Sequence, residues 1–186
     1  MTNFQIKSKK QCRLMIGPYP HFIYDASGGG GEAILFDTNQ KNLKYVAFCP
    51  KKFKIPPLSW KTTKILSLPL PPGIKIKMYM DKLEGTIDED SGEIRFQFEA
   101  KFTLHIFYFL KFPHITVKSL LNTGNARTKY HECQGIPLTK NGKTKLVGVA
   151  RISKTKNYFI DTILFLPTSA LAELNCEVFL NSLRRT

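Results

Sequence analysis

The stretch IKIKMYMDKLEGTIDEDSGEIRFQFEAKFTLHIFYF, residues 74–109, decides the fold. In its second arm Ile94, Phe96, Phe98, Ala100, Phe102, Leu104 and Ile106 share one parity, while Arg95, Gln97, Glu99, Lys101, Thr103 and His105 share the other. That period of two places alternate side chains on opposite faces of a strand. The first arm alternates as well, with Ile74, Ile76, Met78 and Met80 set against Lys75 and Lys77. Asp88-Glu89-Asp90-Ser91-Gly92 lies between the arms as an acidic turn closed by glycine, so the stretch reads as one long β-hairpin. The apolar parity of the first arm changes between Met80 and Leu83. Pairing Ile87 with Ile94, Leu83 with Phe98, Met80 with Ala100 and Ile76 with Leu104 needs one extra residue, which predicts a β-bulge at Asp81-Lys82.

Outward from the hairpin, the chain reads as further strands separated by turn residues. Strands are expected at 3–6, 33–38, 43–49, 62–68, 115–121, 146–152 and 158–166, with a weaker one up to Gly135. Gly17-Pro18-Tyr19-Pro20 is expected to be extended. Ser27-Gly28-Gly29-Gly30-Gly31 is expected to be a mobile connector; a phosphate loop needs a Lys-Ser/Thr and a helix after its glycines, and Glu32 with a β-like run follows instead. Pro167-Thr168-Ser169 resembles a helix start, with Thr168 as N-cap of a short turn over 169–174 and a closing strand at 176–180. About nine or ten strands in hairpin order with one short helix imply an all-β antiparallel barrel or sandwich, in a single domain over residues 1–186. Residues 1–24 read as a basic N-terminal arm. Their lysines and lack of acids suit a transit peptide, but they are poor in serine and broken by Gly17, Pro18 and Pro20.

Composition narrows the function classes. Hydrophobic residues make up 42% and phenylalanine occurs 14 times, which argues for a packed core rather than disorder. The net charge is +14, yet half of the carboxylates fall between Tyr79 and Ala100. An acidic hairpin tip is therefore expected to project from a basic body, a field that favours nucleic acid, anionic membrane surfaces or acidic proteins. Most of the cations are lysine, which weakens a sequence-specific nucleic-acid reading, because bidentate base recognition prefers arginine. Cys12, Cys49, Cys133 and Cys176 form no CxxC pair and read as reduced thiols in the core, in a reducing compartment. No apolar run reaches the ~18–20 residues of a membrane-spanning helix.

Candidate sites fall into two groups. Lys51, Lys52 and Lys54, then Lys140, Lys143 and Lys145, then Lys154 and Lys156 occupy three loops, with Phe53 and Tyr158 beside them. Converging at one end of a barrel, they would form a polyanion-binding rim with the aromatics as stacking platforms; the alternative is that they only solubilise their loops. Asp88, Glu89 and Asp90 are the second group, a tip that would dock a basic protein partner. His131-Glu132-Cys133 is the densest set of metal-ligand types, but it lacks the second half of a zinc signature, so no metal and no cofactor are expected. GxSxG, HExxH, dinucleotide and kinase motifs are absent, which argues against an enzyme, although a catalytic pair assembled from distant strands stays open. A phenylalanine-rich barrel also suggests carriage of an apolar pigment or lipid, but the Gly-x-Trp start of lipocalins is missing, since Trp60 follows Leu58 and Ser59.

Gly85-Thr86-Ile87 through Phe98-Glu99-Ala100-Lys101-Phe102, and Leu146-Val147-Gly148-Val149-Ala150 through Asp161-Thr162 to Leu166-Pro167-Thr168, resemble small conserved proteins of unknown function from cyanobacteria and algal plastids. The resemblance spans residues 68–179 and carries no functional motif. It implies a photosynthetic lineage, with a plastid stroma or cyanobacterial cytoplasm as the setting. The expectation that follows is a non-enzymatic binding or accessory protein, such as an assembly factor of a photosynthetic complex. It would be joined to a protein complex, with nucleic acid and peripheral membrane association as further partners. Binding of RNA or single-stranded nucleic acid through the lysine loops, and the apolar carrier, are the alternatives.

Overall fold

The computed structural model describes residues 3–107 and 109–181. The chain opens with β1 (Asn3–Ser8), β2 (Cys12–Ile16) and β3 (Phe22–Tyr24). It continues through β4 (Gly30–Asp37), β5 (Leu43–Phe48) and the short pieces β6 (Leu58–Ser59), β7 (Thr63–Ile65) and β8 (Leu68–Pro69). The long hairpin follows as β9 (Ile74–Asp88) and β10 (Ile94–Ile106). After it come β11 (Leu110–Lys111), β12 (Ile115–Asn122), a small hairpin of β13 (Asn125–Arg127) and β14 (Glu132–Gln134), and β15 (Lys143–Ile152). Helix α1 (Tyr158–Ile163) and β16 (Thr168–Asn181) complete the described elements. The strands outnumber the nine or ten expected because several are only two or three residues long.

Pairing is antiparallel throughout, and the order β1-β4-β5-β9-β10-β12-β15-β16 returns to β1, so the sheet closes into a ring. Two strands belong to more than that ring. On one edge β16 pairs its Cys176–Asn181 half with β1 and residues 170–173 with β2, and β9 likewise pairs residues 84–88 with β5 and 75–76 with β6. From β2 the sheet continues through β3 and β7 to β8, so the barrel flares at the end where β9 begins.

The hairpin has the expected register, with Ile87 opposite Ile94, Leu83 opposite Phe98, Met80 opposite Ala100 and Ile76 opposite Leu104. Glu99 faces Lys82 and Ala100 faces Met80, which makes Asp81 the extra residue. The bulge turns its carboxylate outward to Lys101, 3.2 Å away. Inward parity builds the core of the closed section. Phe4, Phe48 and Phe96 meet edge to face, with centroids 5.8 Å (Phe4–Phe48), 6.4 Å (Phe4–Phe96) and 5.8 Å (Phe48–Phe96) apart, an arrangement that suits the ring quadrupoles. Leu83, Ile87, Ile94, Leu146 and Val178 pack around them. A second cluster of Cys12, Tyr24, Leu58 and Leu70 fills the flared section, and Ile160 of α1 closes that end against Phe112, Ile152 and Leu166.

Several expectations are corrected here. Residues 158–166 do not form a strand: Asn157 caps α1 by accepting the Ile160 amide (3.1 Å), and Asp161 accepts both the amide and the hydroxyl of Thr155, each at 2.7 Å. These local bonds outweigh the strand propensity of the aromatic and β-branched residues. The helix expected over 169–174 is instead the first half of β16, covered on both faces: Ala170, Leu174, Cys176 and Val178 pack into the barrel clusters, and Leu171 is buried on the other face with Met15 and Val147. The supposed N-terminal arm supplies β1, β2 and β3, because Phe4, Ile6 and Cys12 bury themselves in the barrel and Met15 packs on the other face with Ala126, Val147 and Leu171. Residues 17–20 make a turn rather than an extended segment, with the Tyr19 amide on the Ile16 carbonyl. The glycine run is pinned, not mobile: Gly30 and Lys54 exchange backbone bonds of 2.8 and 2.9 Å, and the Ser8 amide reaches the Gly29 carbonyl at 3.0 Å. Cys12 and Cys176 are core thiols as expected, whereas Cys133 is half-buried and Cys49 exposed.

Candidate functional site

A lysine-lined groove lies on the outer wall over β1. With Phe4 and Ile6 turned inward, Lys7 must face outward, and in register it stands between Gly30 of β4 and Glu177 of β16. Glu177 in turn faces Lys143 of β15. Gly30 has no side chain, which lets the β1 backbone at Ile6 and Lys7 come close to it. A cleft of about 510 Å³ lies here, lined by Gly28 to Gly31 and by Lys7, Lys9, Lys52 and Lys54. A second cleft of about 450 Å³ is lined by Lys9, Lys10, Lys143, Lys145 and Asn175. Lys9 borders both, so the two adjoin along the barrel wall.

Between β1 and β2 the chain breaks its ladder at residues 9–11, where Gln11 takes φ 61°. Asn175 holds this break by donating to the Lys10 and Gln11 carbonyls at 3.3 and 2.9 Å and accepting the Lys9 amide at 2.9 Å. The break aims Lys9 and Lys10 along the groove. Some of the positive charge is compensated: Lys9 pairs with Glu177, Lys145 with the buried Glu173 at 3.2 Å, and Lys10 with Asp25 at 3.9 Å. Lys9, with the fields of Lys143 and Lys7 behind it, holds the Glu177 carboxyl below its ordinary value. Among the described residues, Lys7, Lys52, Lys54 and Lys143 have no carboxylate within ion-pair distance. Lys7 instead lies 4.7 Å over the Phe179 ring.

Of the three lysine loops expected to converge, two border this groove. Lys52 and Lys54 enter from the loop before β6, and Lys143 and Lys145 from the start of β15. Lys51 and Lys140 are exposed beside them, in the 3₁₀ turn Pro50–Lys52 and the tight turn before β15. Lys154 and Lys156 do not join, because they follow β15 at the opposite end of that strand, as does Tyr158. Phe53 is no stacking platform either: it is half-buried, edge-on to Phe48 at 5.4 Å. The lysines of β1 were missed as site residues. The signal that finds them is the alternation of Phe4 and Ile6 with Gln5 and Lys7, which makes the segment a strand with one charged face.

The acidic tip does not project freely. Its Glu89 amide bonds the Asn42 carbonyl at 2.8 Å, Asn42 donates its side-chain amide to Asp90, and Gly92 accepts the Leu138 amide at 2.8 Å. Glu89 and Asp90 remain exposed on this fixed turn. Asp88 accepts the Asp90 and Ser91 amides at 2.9 and 3.0 Å, and these bonds, that of Ser91 foremost, lower its carboxyl below the ordinary aspartate value. A group depressed in the folded state stabilises above its unfolded pKa and loses that contribution as pH falls through its folded value. The Ser91 amide resonance should therefore shift in acid with the titration of Asp88, and Asp88→Asn, which keeps an acceptor, should remove the step; an unchanged shift would discard the coupling.

Of the metal-type cluster, His131 Nε2 lies 3.1 Å from the Gly17 carbonyl, and burial pushes the Cys133 thiol up to about 11. Among the described residues no three His, Cys, Asp or Glu side chains gather as a metal site. Among the described residues no helix is long and apolar enough to cross a membrane. No family model, curated protein or solved structure matches the chain.

Proposed function

We propose that the chain is a non-enzymatic accessory protein that works by binding, and that it takes a phosphate polyanion, an RNA or other single strand, along the groove over β1. The observation that carries this reading is the pair of clefts meeting at Lys9, which together present lysines from β1, β15 and the loop before β6. The contacts such a groove offers are ammonium to phosphate. With Phe53 turned into the core and Tyr158 at the far end, base stacking plays no part and the binding is indifferent to sequence. Carriage of an apolar molecule fits less well, since three phenylalanine rings fill the closed section and a guest would have to displace them. In the plastid stroma or cyanobacterial cytoplasm that the resemblance implies, such binding suits an assembly or accessory role. The acidic tip, rigid and opposite in sign, is the surface we assign to a basic protein partner.

The test is fluorescence anisotropy with a labelled oligouridylate over a range of salt. Four uncompensated lysines predict a log–log slope of about −3, from roughly 0.7 per phosphate neutralised on a single strand. Lys52→Glu with Lys54→Glu should reduce the slope by about one or more. Binding that ignores salt, or that falls equally in Lys154→Glu with Lys156→Glu, removes the groove from consideration.

A further inference from the structure

Strand direction identifies what gathers at the end of the barrel opposite the acidic tip. β9, β12 and β16 begin there, β10 and β15 end there, and α1 crosses it between β15 and β16. Two hairpin tips extend past the same end. One joins β7 to β8 and exposes Leu66 (74%) and Leu68; the other joins β10 to β11 and exposes Phe107, Phe109 (83%) and Leu110. The helix adds Tyr158 (86%) and Ile163, with Phe165 just beyond it. With Phe159 of the helix, more than half of the large apolar side chains exposed among the described residues belong to this one end. Single exposed apolar residues are ordinary; a cluster on hairpin tips and a capping helix marks an interaction surface.

Backbone strain supports the tips as built features. Leu66 and Ser67 take φ of 50° and 68°, and Phe107 takes 55°. The left-handed region is disfavoured for such side chains, and here it holds large apolar groups in water. Phe107 is fixed by its amide on the Gly73 carbonyl at 2.7 Å and by its ring, stacked on Phe109 at 6.0 Å.

The charge around these groups is of one sign. Lys75 and Lys111 flank His105 on the two neighbouring strands, with Lys77 the next outward residue of β9. Lys154 and Lys156 border the helix, and Lys64 lies just behind the tip at Leu66. The lysines crowd His105 enough that burial, together with the fields of Lys77, Lys111 and Lys75, lowers its pKa. Asp161, the carboxylate of the helix itself, is engaged by Thr155. An apolar centre within a cationic collar complements the acyl and headgroup layers of an anionic bilayer, where apolar burial and electrostatic attraction add. A second protein would have to supply an apolar face ringed with acid; the acidic tip of another copy has no such apolar face.

We infer that this end seats the barrel on an anionic lipid surface, with the tips at Leu66 and Phe109 entering the interface and Lys75, Lys111, Lys154 and Lys156 meeting the headgroups. The axis then stands upright, and the acidic tip points away from the like-charged membrane. This inference does not rest on the groove, which faces water in that pose.

Vesicle flotation tests it, with phosphatidylcholine alone against phosphatidylcholine mixed with phosphatidylglycerol. The protein should float with the mixed vesicles and not with the neutral ones. Leu66→Glu with Phe109→Glu should reduce partition at least tenfold, while near-ultraviolet circular dichroism and oligonucleotide binding stay as in the wild type. Lys52→Glu with Lys54→Glu should float like the wild type. Three results overturn the inference: no flotation with mixed vesicles; loss of flotation in the groove variant with retention in the tip variant; or a dimer in sedimentation that the tip variant dissolves, which would make the end a contact between copies.

Discussion

Phe96→Ala lowers the unfolding free energy by about 3–5 kcal/mol, the range for deleting a fully buried aromatic ring. Phe96 is completely buried, and its ring is met on two sides by Phe4 and Phe48. Neither neighbour is free to collapse into the space. Phe4 is held in β1 between β4 and β16, and Phe48 is held by β4 on its strand and by Phe53 on its ring. The loss therefore includes a cavity contribution as well as the transfer of the ring. Urea unfolding of both proteins measures it, and added benzene should restore part of the difference, because an apolar hole of this kind stays dry and accepts a ring. A loss below about 1 kcal/mol would mean that the closed section is loosely filled, and would revive the carrier reading.

Gly30→Ala is the second large effect, on the order of 3 kcal/mol from strain and overpacking together. Gly30 lies at φ 116°, where side chains are strained, and a β-carbon there would run into the Ile6 carbonyl oxygen of the neighbouring strand. Relief would require β4 to withdraw from β1 and the paired bonds between Gly30 and Lys54 to lengthen. Gly28 is the control. It too has a positive φ, 85°, but nothing lies within 4 Å of its absent β-carbon. Gly28→Ala should cost only about 1 kcal/mol, the conformational share alone. Equal urea midpoints for the two variants would show that close approach does not matter at Gly30. The same comparison bears on the groove, since only the Gly30 variant should also weaken oligonucleotide binding.

These positions show where the sequence is readable. The register of the hairpin was legible, with its bulge placed within the pair Asp81-Lys82, because each face of a long strand repeats its own evidence and a slip of one residue inverts the whole pattern. Short signals fared worse. Tyr158 to Ile163 reads as strand by propensity, and one asparagine cap reverses it; Thr168 to Leu174 reads as helix by its Ala, Leu and Glu content, because this half of β16 is covered on both faces, Leu171 on one and Leu174 on the other, and so lacks a clean alternation. Of the candidate site, the lysines of two loops were legible as a basic surface. Their joining was not, because it depends on Lys7 of β1 and Lys9 just after it, and β1 is set between β4 and the sequence-distant β16. The glycine run was misread for a related reason: glycine signals either freedom or close contact, and only the position of Ile6 decides between them.

The junction of β1 with β16 is also a statement about time. Asn3 faces Asn181, so β1 waits for a strand made much later in the chain. As the chain emerges from the ribosome, β1 can pair with β4 early but keeps its other edge unfilled, and β2 and β15 wait for the same partner. Ring closure is thus the most non-local step among these pairings, and it cannot begin until β16 has been made. A chain stopped before β16 would carry three unsatisfied edges at once, each a template for another strand, so the last strand is what separates a closed, self-contained sheet from an adhesive one.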